Sequence, residues 1–423
     1  MGSISGLRPD QMQLIKATVP VLVEHGKTIT TVFYKNMLDA HPELKNVFNM
    51  PNQTNGHQPR ALAGALFAYA SNIDNLAALG PAVELICNKH ASLYIKPEDY
   101  QIVGKYLIEA MGEVLGNALT PEIKDAWAAA YWQLADIMIG REKQIYQQNE
   151  GWTDWRDFNI VDKVKESDEI TSFYLSPVDG KPLPAFQPGQ YISVQVHIDE
   201  LQHNQPRQYS LSDKPSPNHY RISVKKENGL NSSEPGAATH PGYVSNLLHE
   251  TKKKGDLVKV SHPCGDFFYS SSEENQSVVL ISAGVGLTPM TSILNTLIAK
   301  SSATDRKLHF IHGARNSKAR AFQDHISSVV KDHSNIQATF FTSHPSADDK
   351  QGVDYHHAGR VDLRKLDAND ELFLDNSQTQ YYICGPEEFM NDTKSSLEAL
   401  GVKSGNIKME LFGTGGFKEA HVI

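Results

Sequence analysis

Residues 277–300 read SVVLISAGVGLTPMTSILNTLIAK, and few arrangements satisfy that string. SVVLISA is a continuous apolar run, the pattern of a strand buried on both faces. Gly284 and Gly286 then form a tight turn, and Thr288 with Pro289 opens a helix, since proline suits a first turn whose N–H groups have no partner. KLHFIHGA, IQATFFTS and TQYYICG repeat the strand pattern, with helical segments between them. The alternation predicts an α/β parallel sheet with helices on both faces. The helix N-terminus offers free N–H groups and a positive dipole end to a pyrophosphate. Gly284, Val285, Gly286, Leu287, Thr288 and Pro289 are therefore candidate dinucleotide contacts, although Pro289 stands where the third glycine of GxGxxG would fall. Cys384, Gly385 and Pro386 end a later strand, and ligands of open sheets bind at such carboxyl ends.

Two other textures precede this one. From Phe158 to about Tyr269 short alternating runs such as YISVQVHI and YRISVKK are separated by turn residues, which predicts a small antiparallel β-barrel. Within it, Arg207 of RQYSL can fork onto a phosphate, Tyr209 can lie against an aromatic ring and Ser210 can bond a ring nitrogen. The segment from Gly229 to Pro241 is a polar, glycine-rich loop. Residues 1–150 are helical in texture. LGPAVELICNKH sets Val83, Ile86, Cys87 and His90 on one helix face. Thr120 is an N-cap before Pro121, and Ala126, Ala130, Leu134 and Ile137 form the buried stripe of a long helix. The expected domains are 1–150, all-α; 151–272, the barrel; and 273–423, the α/β sheet.

The net charge of −9 argues against a nucleic-acid partner. Three separated cysteines without a CxxC pair imply a reducing compartment and no cysteine-rich metal site. The chain has no run of eighteen apolar residues and no signal-peptide core, so no transmembrane segment and a cytoplasmic location are expected.

PGQYISV, RQYSL, GYVSNLL, PCGDFF, AGVGLTPM and YICGPEEFM, in this order, resemble the ferredoxin–NADP reductase superfamily. The resemblance implies an FAD-binding barrel followed by an NAD(P)H-binding domain. Tyr191, Arg207, Gln208, Tyr209, Ser210, Val244 and Ser245 would contact FAD. Residues 284–289 and 384–386 would contact NADH or NADPH. ELFG near the C-terminus also matches, placing Glu410, Leu411, Phe412, Gly413 and Thr414 by the flavin. Arg315 and Arg320 follow a strand where a 2′-phosphate could be read, which leaves the choice of nucleotide open. A flavin takes hydride and can release electrons singly, so a one-electron acceptor should lie in the helical domain.

A lone histidine on a helical stripe is usually a core residue. Yet FNMPNQTNGHQ and KHASLYIKPEDY resemble the flavohaemoglobins, in which a globin is fused to this reductase, and the resemblance spans essentially the whole chain. It implies haem b with His90 as the iron ligand. Phe48 lies at a corner beside the haem, and Tyr34, Gln58 and Leu62 line the distal side. Tyr100 and Glu142 join His90 beneath the haem, although by spacing alone Glu142 reads as an ordinary exposed helix charge. Lys89 and Glu410 would stand between flavin and haem. The implied activity is nitric oxide dioxygenase: NAD(P)H reduces FAD, FAD reduces haem iron, and NO is oxidised with O₂ to nitrate. A monomer with O₂ and NO as its small-molecule partners is expected. Two alternatives stay open: an O₂- or NO-sensing protein whose reductase keeps iron ferrous, and a flavin-dependent ferric or peroxide reductase with haem as a side relay.

Overall fold

The computed structural model describes residues 6–50, 53, 56–149, 151–229, 241–270, 276–300 and 306–413. The glycine-rich loop at 230–240 and the tail that begins at Thr414 lie outside the described residues.

The long helix predicted after Thr120 forms as Pro121–Gln148 (α6), with Thr120 Oγ1 accepting the Ile123 N–H. Its inner ridge departs from the expected stripe. Ala126 and Ala130 are buried, but Ile137 is 40% exposed, and the ridge continues through Met138, Glu142 and Ile145. On a helix of about 3.6 residues per turn, steps of four drift by about 40° each. The buried ridge therefore winds from the main helical core at Ala126 and Ala130 to a second cluster at Met138 and Ile145. Ile137, which returns nearly to the angle of Ala126, faces water. The corrected ridge carries a carboxylate inward. Before it, among the described residues, come the helices Pro9–Ala17 (α1), Val19–Ala40 (α2), His57–Ser71 (α3), Gly80–Ala91 (α4) and Pro97–Leu115 (α5). Their core includes Ile29, Phe33, Met37, Leu107, Met111 and Trp127.

The alternating runs form β1 (Arg156–Lys165), β2 (Ile170–Pro177), β3 (Tyr191–Ile198), β4 (His203–Ser210), β5 (Tyr220–Lys225) and β6 (Leu257–Val260). The order is β4-β3-β6-β1-β2-β5, with every pairing antiparallel. A bridge between Leu211, just beyond β4, and Ile222 in β5 brings the two edges together, so the sheet closes into the expected barrel. A short helix, Tyr243–Asn246 (α7), lies between β5 and β6.

The C-terminal strands are β7 (Val278–Ala283), β8 (Leu308–Ala314), β9 (Ile336–Thr342), β10 (His357–Ala358), β11 (Gln380–Cys384) and β12 (Ile407–Glu410), in the order β10-β9-β8-β7-β11-β12 and all parallel. Helices Leu287–Ala299 (α8) and Gln323–Asp332 (α9) contribute to one core, and Glu387–Ala399 (α10) to the other. The chain runs outward from β7 to β10, then returns to β11 on the other side of β7. The carboxyl ends of β7 and β11 therefore flank a topological switch point. Among the described residues, no helix is long and apolar enough to cross a membrane.

Candidate cofactor sites and the junction between them

Three helices bring His90, Tyr100 and Glu142 together. His90 Nδ1 lies 2.9 Å from Glu142 Oε1 and 3.0 Å from the Tyr100 hydroxyl. That hydroxyl donates to the same carboxylate oxygen over 2.5 Å. Glu142 is only 3% exposed, so the reading of it as a surface charge is overturned. Burial, followed by the nearby Glu142 charge, drives the Tyr100 pKa upward, which keeps its hydroxyl a donor. The Tyr100 backbone carbonyl accepts from the Tyr131 hydroxyl over 2.6 Å. Gly104 permits this, because a Cβ there would stand 2.4 Å from the Tyr131 ring.

Tyr34 from α2 and Gln58 from α3 are hydrogen-bonded to each other, and burial raises the Tyr34 pKa. The Tyr34 ring meets the edge of Phe48 at 5.6 Å. Leu62 stands one turn beyond Gln58 and packs against the helical core.

The helix bearing His90 docks directly on the barrel. Asn88 Oδ1 accepts the Gly265 N–H over 2.9 Å, while its amide donates to Glu84, which Arg141 grips through two bonds of 2.7 Å. Ser193 Oγ donates to Ser92 Oγ at 3.0 Å, and Ser92 also bonds Tyr191. Cys87, Ala91 and Tyr100 share one core cluster with Tyr191 and Cys264 of the barrel. Asn88 was missed in the sequence, where nothing distinguishes it from a helix-surface amide. Asp266 of PCGDFF was missed as well. It acts electrostatically on Glu410, as does Lys89. Burial, then Asp266, pushes the Glu410 carboxyl up to about 8, while Lys89 opposes the shift. Burial lowers the Lys89 pKa, and its ammonium donates to the Gly413 carbonyl.

Register places the barrel candidates side by side: Tyr191 pairs with Ser210, Ile192 with Tyr209 and Val194 with Arg207. Arg207 and Tyr209 remain partly accessible, yet surrounding protein depresses the guanidinium and raises the phenol, as on the wall of a cleft. Gln208 donates to Ser193 Oγ over 3.2 Å. In α7, Val244 is buried and Ser245 Oγ accepts the Glu227 N–H over 3.3 Å. Leu411, Phe412 and Gly413 follow β12, and Phe412 is 40% exposed.

At the switch point, Gly284 takes φ +57 and Gly286 packs against the end of β11. A Cβ on Gly286 would sit 2.2 Å from the Cys384 carbonyl oxygen, so glycine alone fits. The helix opens at Leu287, with Thr288 second and Pro289 third, two positions later than proline's expected place and still within the first turn. Cys384 is buried, Gly385 follows β11 and Pro386 caps α10. Arg320 is corrected. It is 2% exposed, donates to Thr342 Oγ1 over 2.8 Å and to the Asp354 carbonyl, and lies on the Phe340 ring, so it cannot greet a phosphate in solvent. Arg315 is exposed and pairs with Glu169.

These residues fit the two resident groups that the sequence implied. His90 Nδ1 is engaged, while Nε2 makes no hydrogen bond among the described residues, so that nitrogen would be the one to hold an iron. Phe48, Leu62 and Val83 belong to the helical core but stay partly accessible, as apolar walls of a cleft would. The partly accessible, protein-ringed Arg207 and Tyr209 suit a phosphate and an aromatic ring.

Fold and site together define a globin-type helical bundle joined to a reductase of the NAD-binding oxidoreductase class. Residues 31–138 match the globin family, and residues 280–395 match the oxidoreductase NAD-binding domain. The chain is 46% identical over 415 residues to a flavohemoprotein of Bordetella parapertussis, covering 97% of this chain and 99% of that one. It is 44% identical to a flavohemoprotein of Bacillus subtilis, covering 95% and 96%. It also resembles the crystal structure of a Malassezia yamatoensis flavohemoglobin with bound FAD and heme, at a TM-score of 0.82 and 29% identity over 97% of this chain and all of that one. The FAD/NAD-binding domain of a Vibrio cholerae nitric oxide dioxygenase matches at a TM-score of 0.53 and 36% identity, over 62% of this chain and 99% of that one. The chain belongs to the flavohaemoglobin family.

Proposed function

We propose that this protein is a cytoplasmic nitric oxide dioxygenase that draws electrons from NADH or NADPH. The observation that carries the reading is the carboxylate-anchored histidine whose helix also bonds to the barrel. When bound, haem b supplies an iron that takes single electrons and binds dioxygen, and FAD accepts hydride and releases electrons one at a time.

This chain's residues perform the remaining work. His90 Nε2 would hold the iron. Glu142 accepts a hydrogen bond from Nδ1–H and fixes the ring, giving the imidazole anionic character that favours oxygen activation over storage. Tyr100 donates to Glu142 and keeps that carboxylate aimed. On the other side Tyr34 and Gln58 would donate to negative charge developing on dioxygen. Leu62 and Phe48 narrow access and exclude water. Tyr191, Arg207–Ser210, Val244, Ser245 and the segment from Glu410 to Thr414 would hold FAD. Gly284–Pro289 and Cys384–Pro386 would receive the dinucleotide. Lys89 and Glu410 would set the electrostatic field between flavin and haem. The units carrying these roles are 1–150, 151–272 and 273–423, acting within one monomer.

The test is NADH oxidation under air with and without NO. The reading predicts haem and flavin bands in the visible spectrum and a rise in NADH oxidation when NO is added. Oxidation indifferent to NO would leave the sensor reading standing instead.

A further inference from the structure

Helix α4 ends at Ala91, one residue beyond His90, and the turn that follows it closes at Tyr94, which adopts the left-handed conformation with φ 56. Leu93 and Ile95 both donate to the His90 carbonyl, so this turn is built on the backbone of the candidate iron ligand. Glycine or asparagine ordinarily takes such a position, because a Cβ is crowded there. A strained non-glycine residue persists where its surroundings over-determine it.

The Tyr94 side chain shows what holds it. Its hydroxyl accepts the backbone N–H of His262 over 3.1 Å, crossing from the helical bundle to the segment that follows β6 and leads into Cys264 and Gly265. Its ring stacks with Tyr146 at 6.1 Å and meets the edges of Trp155 and His262 at 5.4 Å each. His262 also meets Tyr146 at 5.7 Å and Trp152 at 6.3 Å. The His262 side chain is fully buried, and its Nε2 has no hydrogen-bond partner among the described residues. The aromatic box thus draws on the turn after α4, on α6, on Trp152 and Trp155 between α6 and β1, and on the barrel. Tyr146 adds a bond from its hydroxyl to the Ile95 carbonyl.

We propose that Tyr94 is a positioning residue for the flavin-to-haem step, latching the His90 helix to the barrel through His262. The inference rests on the functional reading above. The strained turn and the hydroxyl–amide bond fix the helix end, while the ring box excludes water from the junction. Neither Tyr94 nor His262 would touch substrate.

The test compares the holoenzyme with Tyr94→Phe, which keeps the ring, and Tyr94→Leu, which removes it. Anaerobic stopped-flow mixing with NADH reads flavin bleaching and haem reduction separately, and deuterium exchange reads the amides of residues 88–95 and 262–265. The expected result is unchanged flavin bleaching, haem reduction slowed by about tenfold in Tyr94→Leu, a smaller slowing in Tyr94→Phe, and faster exchange at both segments. Faster exchange with unchanged haem reduction would reduce the box to ordinary packing and overturn the proposal. So would equal slowing of flavin and haem, which would place the defect at the flavin. If the unaltered protein passes no electrons from flavin to haem, the functional reading itself fails.

Discussion

The Tyr100 hydroxyl and Glu142 Oε1 lie 2.5 Å apart, and the same oxygen receives His90 Nδ1 at 2.9 Å. One buried carboxylate therefore serves two donors, and the imidazole cannot rotate without breaking its bond to that oxygen. Glu142→Gln removes the charge that polarises the ring. Turnover with NO is expected to fall by about 10–100-fold, the usual cost of losing such a support, and the iron midpoint potential to rise. Tyr100→Phe should move both in the same direction, but less. Spectroelectrochemical titration reads the potential; an unmoved potential in Glu142→Gln would reduce the triad to packing.

Tyr34 is the candidate distal donor, and its raised pKa keeps it protonated. A hydrogen bond to a charged group is worth roughly 1.5–3 kcal/mol, so Tyr34→Phe should release dioxygen about tenfold faster or more. Flash photolysis or ligand-displacement kinetics measures that rate. Equal rates would assign Tyr34 to the core alone.

Glu410 gives a pH signature. Its carboxyl is raised from 4.5 to about 8, chiefly by burial, so the folded chain prefers it neutral. That contribution to stability is full below the unfolded value of 4.5 and is lost as pH rises through about 8. Glu410→Gln should flatten the decline in melting temperature between those limits. Parallel melting curves for the two proteins across that range would contradict the assignment.

Gly286→Ala places a methyl group 2.2 Å from the Cys384 carbonyl oxygen, where backbone must yield. Overpacking of this kind costs about 1–3 kcal/mol. Stability should drop, and flavin reduction should need more NADH, because the same turn is proposed to receive the dinucleotide. A variant with normal melting and a normal NADH dependence would show that the turn adapts freely.

Arg320→Ala should lower stability without altering the preference between NADH and NADPH, because the guanidinium is spent on Thr342, Asp354 and Phe340. The ratio of flavin-reduction rates with the two nucleotides checks this. A large change in that ratio would return Arg320 to the nucleotide site.

The three architectures were legible because each periodicity is enforced along its whole length. The ligand role proposed for His90 was legible only by resemblance, since one histidine on a stripe carries no chemistry of its own. Glu142 looked like surface because Arg141 and Lys143 flank it. Only the ridge through Ala126, Ala130, Leu134 and Met138 shows that it points inward, and Ile137 had suggested a different ridge. Arg320 misled for the opposite reason: a loop arginine was buried by Phe340, a residue on another strand. Asn88, Tyr94 and His262 were silent because their roles arise where the helical bundle meets the barrel. Contacts between residues more than 160 positions apart leave no local pattern.

The most direct test of the account is nitrate yield per NADH under air with limiting NO. Converting NO and O₂ to nitrate consumes one electron and NADH delivers two, so the account predicts two nitrates per NADH. It also predicts no NO-dependent turnover in His90→Ala. NO loss without nitrate, or nitrate formation that survives His90→Ala, would contradict it.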